Sequence, residues 1–159
     1  MDAFEMVLPS TTLATTHIRW MVRDDLESVL AIELVSNDPP WSMAEFIDCH
    51  NCNNTIGMVA ERGGKVVGFM VYELHKTSIH LINLAVEPRY RRRGIGTELI
   101  RRLAGKLSLG RRTWLSVRMP LSNQDGLKFL RRRRFLATKI FQDDTGEDII
   151  DMEFVIEGD

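Results

Sequence analysis

The chain has 159 residues, the size of one ordinary domain, and 44% of them are apolar, enough for a packed core and too many for a disordered chain. Its formal net charge is −1, whereas a dedicated nucleic-acid binder carries a clear positive excess. No apolar run approaches the roughly 20 residues that span a bilayer, and the opening stretch MDAFEMVLPSTTLATTH has acids where a signal peptide has bases. Residues 1–16 therefore read as a flexible leader, residues 17–159 as one domain, and the protein as cytoplasmic.

Ile18–Val22 predicts a first strand. Asp24 followed by Glu27 has the spacing of a capping box, and Leu26, Val29 and Leu30 then supply one apolar helical face. Asn37-Asp38-Pro39-Pro40 stops that helix. Ser42 and Glu45 form a second capping box, opening a short helix toward His50. Ile56–Glu61 and Lys65–Leu74, joined across Arg62-Gly63-Gly64, predict a hairpin. Ser78–Val86 is nearly all apolar, as suits a central strand. A helix over Gly96–Leu107 carries Ile95, Leu99, Leu103 and Leu107 at spacing four. Thr113–Arg118 reads as a strand and Asn123–Arg133 as a helix. Phe135–Phe141 and Asp148–Ile156 close the chain as a hairpin, with Ile150, Met152, Phe154 and Ile156 on one face. The order is one mixed α/β (α+β) layered structure.

Cys49 and Cys52 form a C-x-x-C with His50 between them. A structural zinc site needs four ligands and no second pair follows at ribbon or finger spacing, so the two read as reduced thiols and no metal is expected. The stretch EPRYRRRGIGT, residues 87–97, joins the central strand to a helix. Free N–H groups and the positive dipole end at a helix N-terminus attract anions, and glycines let a backbone approach a phosphate. The run is neither a Walker loop nor a complete dinucleotide fingerprint. It reads as a pyrophosphate cradle or as solvated surface.

Arg91-x-x-Gly94-x-Gly96 after Leu84-Ala85-Val86-x-Pro88 resembles the acetyl-CoA motif of the GNAT N-acetyltransferases, and the resemblance runs from about Ile18 to the C-terminus. Ile32-Glu33, Pro40-Trp41-Ser42, Leu115-x-Val117-Arg118 and Ser122-Asn123 resemble one branch, the ribosomal-protein alanine N-acetyltransferases. The resemblance implies a mostly antiparallel twisted sheet of about seven strands with about four helices on both faces. It implies acetyl-CoA as cosubstrate, with Leu84, Ala85 and Val86 pairing with the pantetheine arm. Arg91, Arg92, Arg93, Gly94, Ile95, Gly96 and Thr97 would hold the pyrophosphate. Asn123 would hydrogen-bond the CoA arm, or serve only as a helix cap.

Acetyl transfer needs a neutral amine. A lysine amine, pKa ~10.4, is neutral in roughly 1 molecule in 2,500 at pH 7, whereas an α-amine, pKa ~7.7–8.0, is neutral at about the 10% level. The branch carries a glutamate in Leu-Glu-Val-Arg as base and a tyrosine seven residues past the asparagine as acid. Here those positions hold Ser116 and Leu130, and the only tyrosines, Tyr72 and Tyr90, lie elsewhere. Ser116 could hold a water. His80, read as sharing a strand face with Ile82 and Leu84, is a substitute base. Glu33, on the stripe of Leu26, Val29 and Leu30, is a second candidate, as base or as amine-binding acid. His75 reads as surface. Arg131–Arg134 suit a helix C-terminus, or the CoA 3′-phosphate, or an acidic partner. The expected function is acetylation of a protein or peptide N-terminal α-amine by a monomer or homodimer. A small-molecule or lysine amine, a CoA-binding protein with weak catalysis, and a nucleic-acid module are the alternatives.

Overall fold

The computed structural model describes residues 15–157; most of the expected leader, residues 1–14, lies outside them. Seven strands form one sheet in the order β1-β2-β3-β4-β5-β7-β6. The strands are β1 (His17–Trp20), β2 (Thr55–Arg62), β3 (Lys65–Leu74), β4 (Ser78–Val86), β5 (Trp114–Pro120), β6 (Leu136–Gln142) and β7 (Asp148–Val155). Four α-helices, α1 (Leu26–Ser36), α2 (Met43–His50), α3 (Ile95–Ala104) and α4 (Gln124–Arg132), are joined by short 3-10 turns at Arg23–Asp25 and Pro88–Tyr90. Every neighbouring pair is antiparallel except β4 and β5. Parallel strands require a crossover, and the segment from Val86 to Trp114, containing α3, supplies it.

Two apolar clusters cover the two faces. On one, Leu26, Val29 and Ile32 of α1 and Phe46 of α2 pack on Val59, Phe69, Val71 and Ala85. On the other, Leu99 and Leu103 of α3 and Leu127 and Leu130 of α4 pack on Tyr72, Leu81, Leu115 and Met152. We call these the α1 face and the α3 face. Gly63 and Gly64, at φ +57° and +79°, make the β2–β3 turn, a conformation suited to the twist of a two-residue hairpin.

The expected pattern holds in most elements, and β3 and β4 have the expected bounds. The first cap differs. Asp25, rather than Asp24 with Glu27, closes the turn: its carboxylate accepts from the Val22 N–H at 2.8 Å and from the Arg19 guanidinium at 2.7 and 2.9 Å. Arg19 also donates to Glu61 on β2 at 3.1 Å, so the start of α1 is tied to the sheet by a long-range pair. The second capping box, Ser42 with Glu45, is present, with Glu45 N–H donating to Ser42 Oγ at 3.2 Å.

A second difference matters more. Tyr72 pairs with Leu81 and Val71 with Asn83, leaving Ile82 as an extra residue, a β-bulge in β4. Side chains alternate along a strand, and the bulge resets that alternation. Ile79 and Leu81 face α3, and so do Leu84 and Val86, whereas His80 and Asn83 face α1. His80 therefore does not share a face with Leu84, as an unbroken alternation predicts.

Asp25→Ala is expected to destabilise the fold by about 1–3 kcal/mol, the usual cost of leaving buried partners unsatisfied; urea denaturation measures it, and an unchanged midpoint would contradict the tie. Arg19 holds the Asp25 carboxyl below its usual range. A depressed folded pKa gives stability that is present above about pH 3.9 and is lost as pH falls through the folded value.

Candidate active site

Strands β4 and β5 pair for only four residues, from Ser78 with Trp114 to Leu81 with Val117. Beyond that point β4 stays on β3 to Val86 and β5 stays on β7 to Pro120, so the two strands part. Among the described residues, the fork leaves the edge of β4 from Ile82 to Val86 without a strand partner on the β5 side, and unpaired backbone groups at such an edge are a template for an added strand. A cavity of about 410 Å³ occupies the fork. Leu81, Leu84, Phe129 and Leu130 line its α3 side, and Glu33, Asp38 and Trp41 its α1 side, with Asn123 and Glu147 at the rim.

At the end of β4 the chain turns through Arg92, at φ +63°, and Gly94, at φ +84°. Gly94 caps α3 in the left-handed region, where a glycine carries no Cβ penalty. The first helical bond is Glu98 N–H to the Gly94 carbonyl at 3.0 Å. The amides from Arg92 to Thr97 find no backbone acceptor among the described residues, the arrangement that receives anions. Gly96 is needed for packing, since a Cβ there would stand 3.1 Å from the Phe129 ring.

The arginine side chains of this turn are largely engaged within the protein. Arg89 pairs with Glu87 at 2.8 Å, Arg93 lies over the Tyr90 ring, and Arg91 donates to the Val86 carbonyl at 2.9 Å and to Ser36 at 3.1 Å. Arg133 stacks on Phe129 at 3.8 Å and donates to the Thr97 hydroxyl. What this turn offers an anion is thus mainly its backbone N–H groups. Asn123 is a helix cap, accepting from Gly126 N–H at 3.0 Å, and also lines the cavity.

On the α1 face, His80 and Ser116 are direct neighbours across the parallel ladder, with Nδ1 and Oγ 2.7 Å apart. They line a second cavity of about 400 Å³ that shares Val117 and Arg118 with the first. Burial pushes the His80 imidazole below its usual pKa, against the pull of the Glu73 carboxylate; His75 and Arg118 add to the lowering. Arg118 is held by Asp151 through two bonds of 2.7 and 3.0 Å. Glu33 is fully buried and lies on the far wall of the fork, where its carboxylate accepts from Asn37, Asn83 and the Trp41 N–H.

Leu130 is buried beside the fork. Tyr72 lies in the core, where burial pushes its phenol up to about 12, and Tyr90 lies on the turn after β4; neither lines either of these two cavities. Among the described residues, no three His, Cys, Asp or Glu side chains come together as a metal site. Cys49 and Cys52 are free thiols. No described helix is long and apolar enough to cross a membrane.

Asp151 and Glu153 were not singled out from the sequence, and Arg118 was noted only as part of a motif, with no role in the site. Their signal was the polar member of each alternating pair in β5 and β7, next in register to Ser116.

The sequence model of the acetyltransferase (GNAT) family matches residues 18–135. The fold resembles the ribosomal-protein-S18-alanine N-acetyltransferase of Escherichia coli, at TM-score 0.79 and 23% identity over 91% of this chain and 96% of that one. It resembles Ard1 of Thermoplasma volcanium at TM-score 0.80, 22% identity, 90% and 99%. It also resembles Arabidopsis thaliana Naa50, solved with the bisubstrate analogue CoA-Ac-MVNAL, at TM-score 0.73, 17% identity, 89% and 99%. No curated protein matches the sequence. The expected seven-stranded, mostly antiparallel sheet flanked by four helices is the one observed.

Gly96→Val is expected to wedge α3 from α4 against Phe129 and to cost about 1–3 kcal/mol, as overpacking does. Thermal denaturation reads this, and an unchanged midpoint would show that Phe129 can move aside.

Proposed function

The chain belongs to the GNAT family of acetyltransferases, and from that premise we propose that it transfers the acetyl group of acetyl-CoA to a primary amine, the α-amine at the N-terminus of a protein or peptide. The observation that carries this reading is the fork, which sets an open strand edge and an anion cradle beside a histidine-bearing cleft. The named neighbours support it: one is an alanine N-acetyltransferase, and another was solved with an analogue that joins CoA to a peptide.

The residues present fit acetyl-CoA. The free edge of β4 at Leu84, Ala85 and Val86 suits an amide-bearing pantetheine arm, which can add to it as a strand does. The unpaired amides from Arg92 through Arg93, Gly94, Ile95 and Gly96 to Thr97, which follow the Arg91 amide bonded to the Pro88 carbonyl, suit a pyrophosphate. Asn123 stands at the rim within reach of the arm. When bound, acetyl-CoA supplies an acyl group activated as a thioester.

The remaining work falls to the α1 side. His80, kept neutral by burial, takes the proton of the acceptor amine directly or through a water. That role requires Nδ1–H to donate to Ser116 Oγ, leaving Nε2 as the acceptor. Ser116, too weak a base itself, orients the ring. Leu130 has no proton to give, which a leaving thiol of ordinary pKa, about 8.5, tolerates. The carboxylates of Asp38, Glu33 and Glu147 along the fork cavity beside the histidine-bearing cleft favour a cationic acceptor over an anionic one. Cytoplasmic peptides are the acceptors this reading assigns, to a monomer or homodimer.

Acetyl-CoA consumption across N-terminal peptides, lysine peptides and small amines tests the acceptor. Turnover on α-amines is expected; turnover confined to a small amine would overturn the choice. Acetyl-CoA binding with no turnover on any amine would favour the weakly catalytic alternative, which Ser116 and Leu130 motivate.

His80→Ala is expected to lower kcat about a hundredfold, the usual scale for general base catalysis. The neutral imidazole is the active form and its pKa is lowered. With saturating acceptor, kcat therefore falls only as pH drops below about 6.5. An acid limb above that value, unchanged in His80→Ala, would remove His80 from the role.

A further inference from the structure

Glu33 is the fully buried carboxylate of the fork, and its three neighbours are neutral donors from three different segments. Asn37 Nδ2, past the end of α1, donates to Oε1 at 2.6 Å. Asn83 Nδ2, the residue after the β4 bulge, donates to the same oxygen at 3.1 Å. The Trp41 N–H donates to Oε2 at 2.9 Å. Asn37 also donates to Asn83 Oδ1 at 3.3 Å.

Burying a carboxylate is costly unless hydrogen bonds replace its water, and bonds to an ionised acceptor are the strong ones. The network therefore accounts for Glu33 without any proton transfer, and it has a definite consequence. The segment from Asn37 to Trp41 is the α1-side wall of the fork cavity. Its far end is fixed by the Trp41 ring, tilted against Phe46 at 5.1 Å, with Phe46 edge-on to Phe69 of β3 at 5.6 Å. Among the described residues, Glu33 is the one side chain that bonds the backbone of this segment.

We propose that Glu33 is a positioning residue that pins the acceptor wall, residues 37–41, to the bulge of β4, and so sets acceptor affinity rather than supplying a base. The inference rests on the acetyltransferase reading for which substrate each side receives. The network demands a group that only accepts. A glutamine has one acceptor oxygen and one amide that donates, so in Glu33→Gln an N–H faces either Trp41 N–H or the two asparagine amides. The bulge gives the joint its reach: were the alternation unbroken past Leu81, Asn83 would lie on the α3 face, away from α1.

The test uses the full chain carrying Glu33→Gln and, in parallel, Asn37→Ala, an exposed position whose loss removes one donor and leaves the buried carboxylate in place. Three quantities are read: amide hydrogen exchange across residues 37–41, acetyl-CoA affinity by calorimetry, and acceptor KM against kcat with an N-terminal peptide. An unsatisfied buried group corresponds to roughly a tenfold change. Glu33→Gln is thus expected to speed exchange in 37–41 and raise acceptor KM by about tenfold, while acetyl-CoA affinity stays within about twofold. Asn37→Ala is expected to move the same two quantities in the same direction by less, and to keep the proposal testable if Glu33→Gln does not fold.

Unchanged exchange in 37–41 in folded Glu33→Gln would overturn the proposal. So would a loss of kcat at constant KM together with loss of the acid limb of the pH profile, which would make Glu33 the base. Exchange needs no acceptor, so a peptide panel that gives no turnover would refute the substrate choice while leaving the joint tested.

Discussion

The structure depends on where the one parallel pairing stops. β4 and β5 share four residue pairs and then part, each held on its outer side by an antiparallel partner. Parallel pairing imposes the crossover through α3, and that crossover begins where β4 ends. The same event therefore opens a strand edge, places a helix N-terminus at its end and leaves a cavity between the two strands. The bulge at Ile82 lies one residue past the last shared pair. It turns Asn83 toward α1 and brings Leu84 and Val86 onto the α3 core, so one strand serves both sides of the fork.

The near-zero net charge conceals a second organising feature. Residues 88–134, which hold the cradle, α3 and α4, contain fifteen lysines and arginines and two acids, Glu98 and Asp125. The rest of the chain has six lysines and arginines and twenty acids. The hairpin turn from Asp143 to Asp148 alone carries four acids, and Glu147 of that turn reaches the cavity rim. Under the proposed reaction, a polyanionic donor and a cationic acceptor approach from sides of matching opposite charge, an arrangement that acts on encounter rates. Arginine is then valuable as a field as well as a ligand, which fits a cradle whose arginine side chains are mostly engaged with the protein itself.

Much of this was legible in the sequence. The strand Lys65–Leu74 follows from a glycine turn, Ser78–Val86 from an almost unbroken apolar run, the Ser42–Glu45 box from local spacing, and the turn into α3 from Gly94 and Gly96 after a strand. These are features that a few neighbouring residues decide. What was not legible is what distant residues decide. Asp25 abandons the local capping pattern because Arg19 of β1 reaches its carboxylate. The face of His80 relative to Leu84 depends on one inserted residue, which alternation cannot reveal because Ile82 is as apolar as Leu81 and Leu84 on either side of Asn83. Glu33 was visible as a polar residue on an apolar stripe, but its partners lie four, eight and fifty positions away. The contact between His80 and Ser116 needed the parallel register, set by packing of the whole crossover.

The central claim is that the open edge of β4 and the cradle that follows it form one continuous receiving surface for acetyl-CoA. Backbone amide spectroscopy during an acetyl-CoA titration tests it most directly. The account predicts that the resonances of Ile82–Val86 and of Arg92–Thr97 shift together and become protected from exchange, while β6 and β1 remain unaffected. Shifts confined to the arginine-rich helices α3 and α4, with the β4 edge unchanged, would contradict it.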